Sequence, residues 1–204
     1  MPAERFDATE IAAPRVDSKS LVTVRQNRYS VPVALAGLKV AARIGARELT
    51  ISHAGKIVAV HERLHGRFGT SATLDHYLEL LQRRPGGLEH SLALRQERDR
   101  GGWPAVFDKL WAALTGRYGR SEAARQMVDV LLLCREHGPD HVVLAVGGAL
   151  AAGAHDGRAV AVLARRAQAT KPTAPAPLTD PRLAAPARPA PDPSDYDQLL
   201  GGAR

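Results

Sequence analysis

The sequence predicts an α+β chain: a small SH3-like antiparallel β-barrel, then an α-helical region, then a tail. Three observations predict it. Up to about residue 69 apolar and polar residues alternate at period two, the strand signature. From residue 73 the apolar spacing lengthens to that of an amphipathic helix. After residue 169 the composition collapses into Pro, Ala and scattered charge, with eight of the chain's fourteen prolines. The expected boundaries are a linker over residues 1–14, a barrel over 15–69, a helical assembly region over 70–168 and a tail over 169–204.

In SLVTVR, Val22 and Val24 share one face, with Thr23 and Arg25 on the other. The next stretch, VRQNRYSVPV, predicts a turn at Gln26 and Asn27, with Val24, Val31 and Val33 as core candidates and Arg25 and Arg28 outward. A turn at Ala36 and Gly37 leads into LKVAARI. There Leu38, Val40, Ala42 and Ile44 point inward and Lys39 and Arg43 toward water. RELTISH and KIVAVHERL then flank Ala54 and Gly55, a hairpin signal. A two-residue turn sets Leu49 and Ile51 opposite Val60 and Val58. Alanine at positive φ is unfavourable, so a three-residue loop with Gly55 left-handed and a bulge fits equally. Four or five such strands are too few for a sandwich and suit a small barrel.

TLDHYLELLQRR places Leu74, Tyr77, Leu78 and Leu81 on one helical face, and Pro85 with Gly86 and Gly87 stops it. LEHSLALRQERDR forms a second helix. A third starts at Pro104, with Val106, Phe107, Leu110, Trp111 and Leu114 as its stripe, and ends at Gly116 and Gly119. SEAARQMVDVLLLCREHG opens on Ser121 as N-cap, and PDHVVLAVGGALAAG and GRAVAVLARRA complete a set of stacked antiparallel helices. Trp103, Phe107, Trp111 and Tyr118 are read as packing, and Gly147 with Gly148 as close helix contact.

The tail's composition predicts a disordered, polyproline-leaning segment. One island stands out, SDYDQLL over residues 194–200. Tyr196, Leu199 and Leu200 fall at helical spacing among aspartates, the pattern of a peptide that docks on a partner; a terminus without a role is the alternative.

Charge is unevenly placed. Residues 15–67 hold ten Lys/Arg against three acids, a balance of +7 equal to the formal charge of the whole chain. A basic module beside a neutral one is the footprint of a polyanion binder, or else a solvated surface. The single cysteine, Cys134, excludes an intrachain disulfide and suits a reducing compartment. The longest apolar run, VVLAVGGALAAGA, is shorter than the roughly 20 residues of a membrane span. A soluble, cytoplasmic, nucleoid-associated protein without membrane contact is expected.

Candidate chemistry narrows quickly. HERLH, residues 61–65, matches the zinc-protease pattern, but that chemistry needs both histidines on one helical face. Here the motif ends an alternating run, and on a strand the two lie roughly 13 Å apart. There is no P-loop lysine motif and no G-x-S-x-G elbow. Two-metal phosphoryl transfer needs converging carboxylates, and the strand-rich part holds only Asp17, Glu48 and Glu62. No catalytic residue, metal or cofactor is assigned.

VDSKSLVTVRQNRYSVPV, LKVAARI, LTISHAGKIVAVHERLHGR and DHYLELLQRRPGGL, with the helices that follow, resemble the C-terminal half of IstA-type bacterial insertion-sequence transposases, relatives of the phage Mu transposase. The most specific pieces are NRYSVP and GKIVAVHERLHGR. The resemblance implies a Mu-type β-barrel that, in the family, follows helix-turn-helix domains and an RNase H-like catalytic domain with a DDE triad. Those upstream parts are expected to be absent, leaving a non-catalytic fragment. It further implies contact with duplex DNA and neighbouring transposase protomers, and an IstB-type AAA+ helper ATPase as the partner for the tail. The cations expected to neutralise phosphates without reading bases are Arg25, Arg28, Lys39, Arg43, Lys56, Arg63 and Arg67. A module that only joins proteins, or an inactive remnant, is the competing reading.

Overall fold

A computed structural model describes residues 10–169, with side-chain environments to residue 166. The docking residues Tyr196, Leu199 and Leu200 lie outside the described residues. The α+β expectation holds: antiparallel sheets come first and helices follow.

Among the described residues, seven strands form two sheets, ordered β1-β4-β5-β6 and β2-β3-β7. In the first, β1 (Glu10–Ala12) pairs antiparallel with β4 (Ala41–Ile44), β4 with β5 (Glu48–His53), and β5 with β6 (Lys56–Glu62). Thus residues 10–12, expected to be linker, add an edge strand; three residues are too short to show a period. In the second, β2 (Leu21–Val24) pairs antiparallel with β3 (Asn27–Ser30), and β3 runs parallel to β7 (Thr70–Ser71). The apolar faces close on one core of Val16, Val22, Val24, Tyr29, Val31, Val40, Ala42, Ile44, Leu49, Ile51 and Ala59. Val33 is only half-buried, because Val33–Leu35 forms a 3-10 turn, and Leu38 is exposed.

Two turns differ from expectation. The β2–β3 hairpin turns at Arg25 and Gln26, both at positive φ (46° and 68°), one residue earlier than the sequence suggests. Asn27 therefore enters the strand and is 2% exposed. In the β5–β6 hairpin the two-residue turn is realised with Ala54 at φ 48° and Gly55 at φ 78°. A bulge follows at Val58, so Leu49 and Ile51 face His61 and Ala59 rather than Val60 and Val58. One extra residue flips every side chain beyond it to the other face. Val60 consequently points to solvent, as does Ile57, which precedes the bulge and pairs with Ser52.

The helices α1 (Leu78–Arg83), α2 (Leu92–Asp99), α3 (Ala105–His137), α4 (Pro139–Ala151) and α5 (Gly157–Ala169) bury a second core around Leu110, Leu114, Met127, Val128, Val130, Val142, Val146 and Val160. α3 is broken at Gly119, whose φ 78° and ψ 166° leave the helical region. Ser121 thus lies inside the second half rather than capping it. Tyr118, beside the break, is exposed and carries Arg117 over its ring; Phe107 is buried and Trp103 and Trp111 half-buried. Gly147 and Gly148 are not close contacts either: a Cβ at Gly148 meets only Leu163 Cδ1 at 3.6 Å, and at Gly147 nothing within 4 Å.

Sheets and helices are joined through β7. Gln96 of α2 donates to Thr70 O and accepts from Ala72 N–H, both at 2.7 Å, and Arg100 donates to Ala72 O. Arg135 of α3 clamps Asp75 and Glu79 at 2.5 Å each. Neither link leaves a trace in local periodicity.

Candidate nucleic-acid interface

The β2–β3 turn and the loop between β6 and β7 meet at one end of the sheets, and Asn27 builds the junction. Its Nδ2 donates to Leu64 O (3.1 Å) and Gly66 O (2.7 Å), while Oδ1 accepts from Gly69 N–H (2.9 Å). Tyr29 adds a hydroxyl that accepts from Leu64 N–H at 3.0 Å. Two side chains of NRYSVP thus hold a loop some 35 to 42 residues away in sequence. The loop and turn enclose a cleft of about 410 Å³ over Val24, Ile44 and Leu49, walled by Arg25, Gln26, Arg63, Leu64, His65, Gly66 and Arg67.

Four of the seven predicted cations gather here. Arg25 projects from the turn and pairs with Glu10 of β1. Arg63 donates to Gly45 O at 2.9 Å, which directs its guanidinium across the cleft wall. Arg67 is exposed and makes no ion pair among the described residues. Arg28 lies on the outer side of β3; its N–H bonds Gly69 O at 2.9 Å and its Cα pairs with Thr70, beside the loop's end. The other three lie elsewhere. Lys39, bridged to Arg15, and Lys56, in the β5–β6 hairpin, sit at the opposite end of the first sheet, roughly 20 Å away by strand rise. Arg43 occupies the middle of that sheet's outer face, between Ile11 and Thr50. Periodicity shows which cations face out, but only strand pairing decides which stand together.

Two residues of this end escaped sequence reasoning. His65 lines the cleft. Phe68 is 82% exposed at φ 60°. Its only signal in the sequence is an Arg-Phe pair set between Gly66 and Gly69.

The HERLH motif lies on β6 and the loop after it, not on a helix, so its histidines do not share a face. His61 is buried. Its Nε2–H donates to Ser30 O at 2.6 Å and its Nδ1 accepts from Ser71 Oγ at 3.1 Å. His76 stands 5.7 Å away, ring to ring, and shares a 2.7 Å bond with Ser30 Oγ. Burial lowers both pKa values. That of His76 falls to about 4, with the neighbouring His61 adding to the effect. These neutral histidines join the sheets to the helices. No group of three or more His, Cys, Asp or Glu among the described residues is placed to hold a metal ion. Burial raises the Cys134 thiol to about 11, so it is unreactive. No described helix is long and apolar enough to cross a membrane.

Comparison with known proteins agrees with this architecture. Residues 1–73 match the family model described as Mu transposase, C-terminal domain. The chain is 34% identical over 178 residues to a transposase for insertion sequences IS1326/IS1353 of Pseudomonas aeruginosa, and equally to its counterpart from Shigella flexneri. Each alignment spans 85% of this chain and 33% of the relative. A transposase of Aminobacter aminovorans is 35% identical over 159 residues, 75% of this chain and 30% of that protein. The chain therefore spans about a third of the length of the curated relatives it matches. No solved structure matches it.

Proposed function

We propose that the chain acts in DNA transposition by holding duplex DNA through the phosphate backbone, a reading supported by its similarity to insertion-sequence transposases and by the match of residues 1–73 to the Mu transposase C-terminal domain model. The observation that carries this reading is the convergence of Arg25, Arg63 and Arg67 around the cleft, with Arg28 on the outer side of the adjoining strand. Guanidinium groups match phosphate geometry bidentately. Spread over a turn, a strand and a loop, they suit successive phosphates rather than one base edge. The chemistry is positioning: these residues neutralise charge and orient DNA, and strand cleavage belongs to carboxylates and metals supplied elsewhere in a transposition complex.

The helical region is proposed to contact neighbouring protomers, and an IstB-type helper ATPase is proposed as the tail's partner. A second reading, protein joining alone, has its own support: Ile11, Ile57 and Val60 expose apolar surface on the outer face of the first sheet.

Fluorescence anisotropy with a labelled 30-base-pair duplex of arbitrary sequence separates the two. Micromolar binding or tighter at low salt is expected of a backbone binder. Undetectable binding, together with concentration-dependent self-association that Val60→Asp abolishes, would select the second reading.

A further inference from the structure

Three of the strained non-glycine residues among those described sit at the end of the molecule where the cleft opens. Five non-glycine residues among those described have positive φ; two of them, Arg25 and Gln26, line the cleft, and a third, Phe68, follows Arg67 of its wall in the same loop. A two-residue hairpin turn with both φ values positive favours Asn-Gly, not Arg-Gln. A bulky aromatic in the left-handed region is rarer still. Such strain persists only where the surroundings over-determine it, and it clusters at ligand-handling sites.

The over-determination is visible. Phe68 N–H donates to Gln26 O at 3.1 Å, binding one strained segment to the other. Asn27 holds both ends of the loop through Leu64, Gly66 and Gly69. The loop is fixed, yet the ring it presents is left largely to solvent: Phe68 is 82% exposed, the most exposed of the large apolar side chains described. Arg67 precedes it, and Arg28 lies one backbone hydrogen bond beyond, at Gly69. An apolar ring flanked by cations matches one ligand chemistry closely, a flat π-face attached to a phosphate.

We propose that Phe68 is a stacking platform for an unpaired nucleotide, with Arg67 and Arg28 receiving the phosphates on either side. The site takes single-stranded or locally unpaired DNA, such as a frayed end or an extruded base. It rests on the reading that this end of the molecule contacts DNA, and it adds a preference for unstacked bases that backbone contacts do not supply.

The test uses the full chain and two labelled 30-base-pair duplexes, one fully paired and one with a central three-nucleotide bulge containing 2-aminopurine. Wild-type protein is expected to bind the bulged duplex at least five-fold more tightly, the low end of what stacking one base on an aromatic yields. It should also quench the 2-aminopurine. Phe68→Leu should abolish both the preference and the quenching while leaving paired-duplex affinity within two-fold; Phe68→Trp should retain both. Binding of the paired duplex without preference for the bulge would overturn the platform and leave the backbone reading standing. Absence of binding to either duplex would remove both. Unchanged DNA binding by Phe68→Leu with loss of self-association in sedimentation would make the ring a protein contact and overturn the proposal.

Discussion

Asn27→Ala should damage this protein more than any other single polar substitution in the sheets. The side chain makes three hydrogen bonds to backbone groups of the 64–69 loop and is 2% exposed. A buried neutral hydrogen bond contributes about 1 kcal/mol net, and an orphaned partner costs about 1–3 kcal/mol. Gly66 is exposed, so water can reach part of the loop once the amide is gone. The three together come to roughly 3 kcal/mol of lost stability. A domain of this size has on the order of 5–15 kcal/mol in total, so the variant folds and its loss is measurable by urea denaturation followed by circular dichroism. Amide exchange at Gly69 should accelerate, since its N–H loses its acceptor. Asn27→Asp should be worse, because a carboxylate would face two carbonyl oxygens. A loss below about 1 kcal/mol with unchanged Gly69 exchange would refute the clamp, by the same hydrogen-bond scale.

Four further outcomes are expected. Phe68→Gly should raise stability by about 1–2 kcal/mol in thermal denaturation, since glycine adopts the left-handed region without the Cβ penalty. Because burial depresses the His61 and His76 pKa values below those of the unfolded chain, stability should be full above pH 6.5 and fall as pH drops toward 4. The fall of His76 to about 4 alone corresponds to roughly 3 kcal/mol by pH 4, read from urea midpoints across that range. Arg135→Gln should cost about 1–2 kcal/mol, partly screened by salt, because two half-exposed carboxylates and a backbone carbonyl lose their partner. Arg67→Ala should weaken duplex binding similarly for unrelated sequences and lower the salt slope by about one in an anisotropy titration.

The parts of the fold legible from sequence are those where one face is buried along one segment. Val40, Ala42 and Ile44 alternate with Ala41 and Arg43 as their burial requires, and the α3 stripe of Phe107, Leu110 and Leu114 follows its helix. What escaped depends on partners distant in sequence. Gln26 and Asn27 make the better turn pair by composition, but Asn27 is drawn into the strand by three backbone groups near residue 66. The bulge at Val58 lies inside an unbroken aliphatic run, where an inserted residue leaves no compositional mark. His61 drew notice as half of a metal motif, whereas Ser30, Ser71 and His76 make it a buried link. The candidate site divides likewise: Arg25, Arg28, Lys39 and Arg43 were readable as outward-facing, but that Arg25, Arg63 and Arg67 line one cleft, with Arg28 beside it and the other three elsewhere, is a product of pairing. Phe68 owes its place to a loop whose anchors lie elsewhere.

If one end of the sheets neutralises DNA phosphates, binding must weaken with salt through the cations placed there. This is tested most directly by the salt dependence of duplex binding for the full chain, compared with an Arg25→Ala, Arg28→Ala, Arg67→Ala triple variant and a Lys39→Ala, Lys56→Ala double variant. Log affinity should fall linearly with log salt at a slope of about −3, nearly lost in the triple variant and largely kept in the double. A salt-independent affinity, or a slope carried equally by the two lysines, would contradict it.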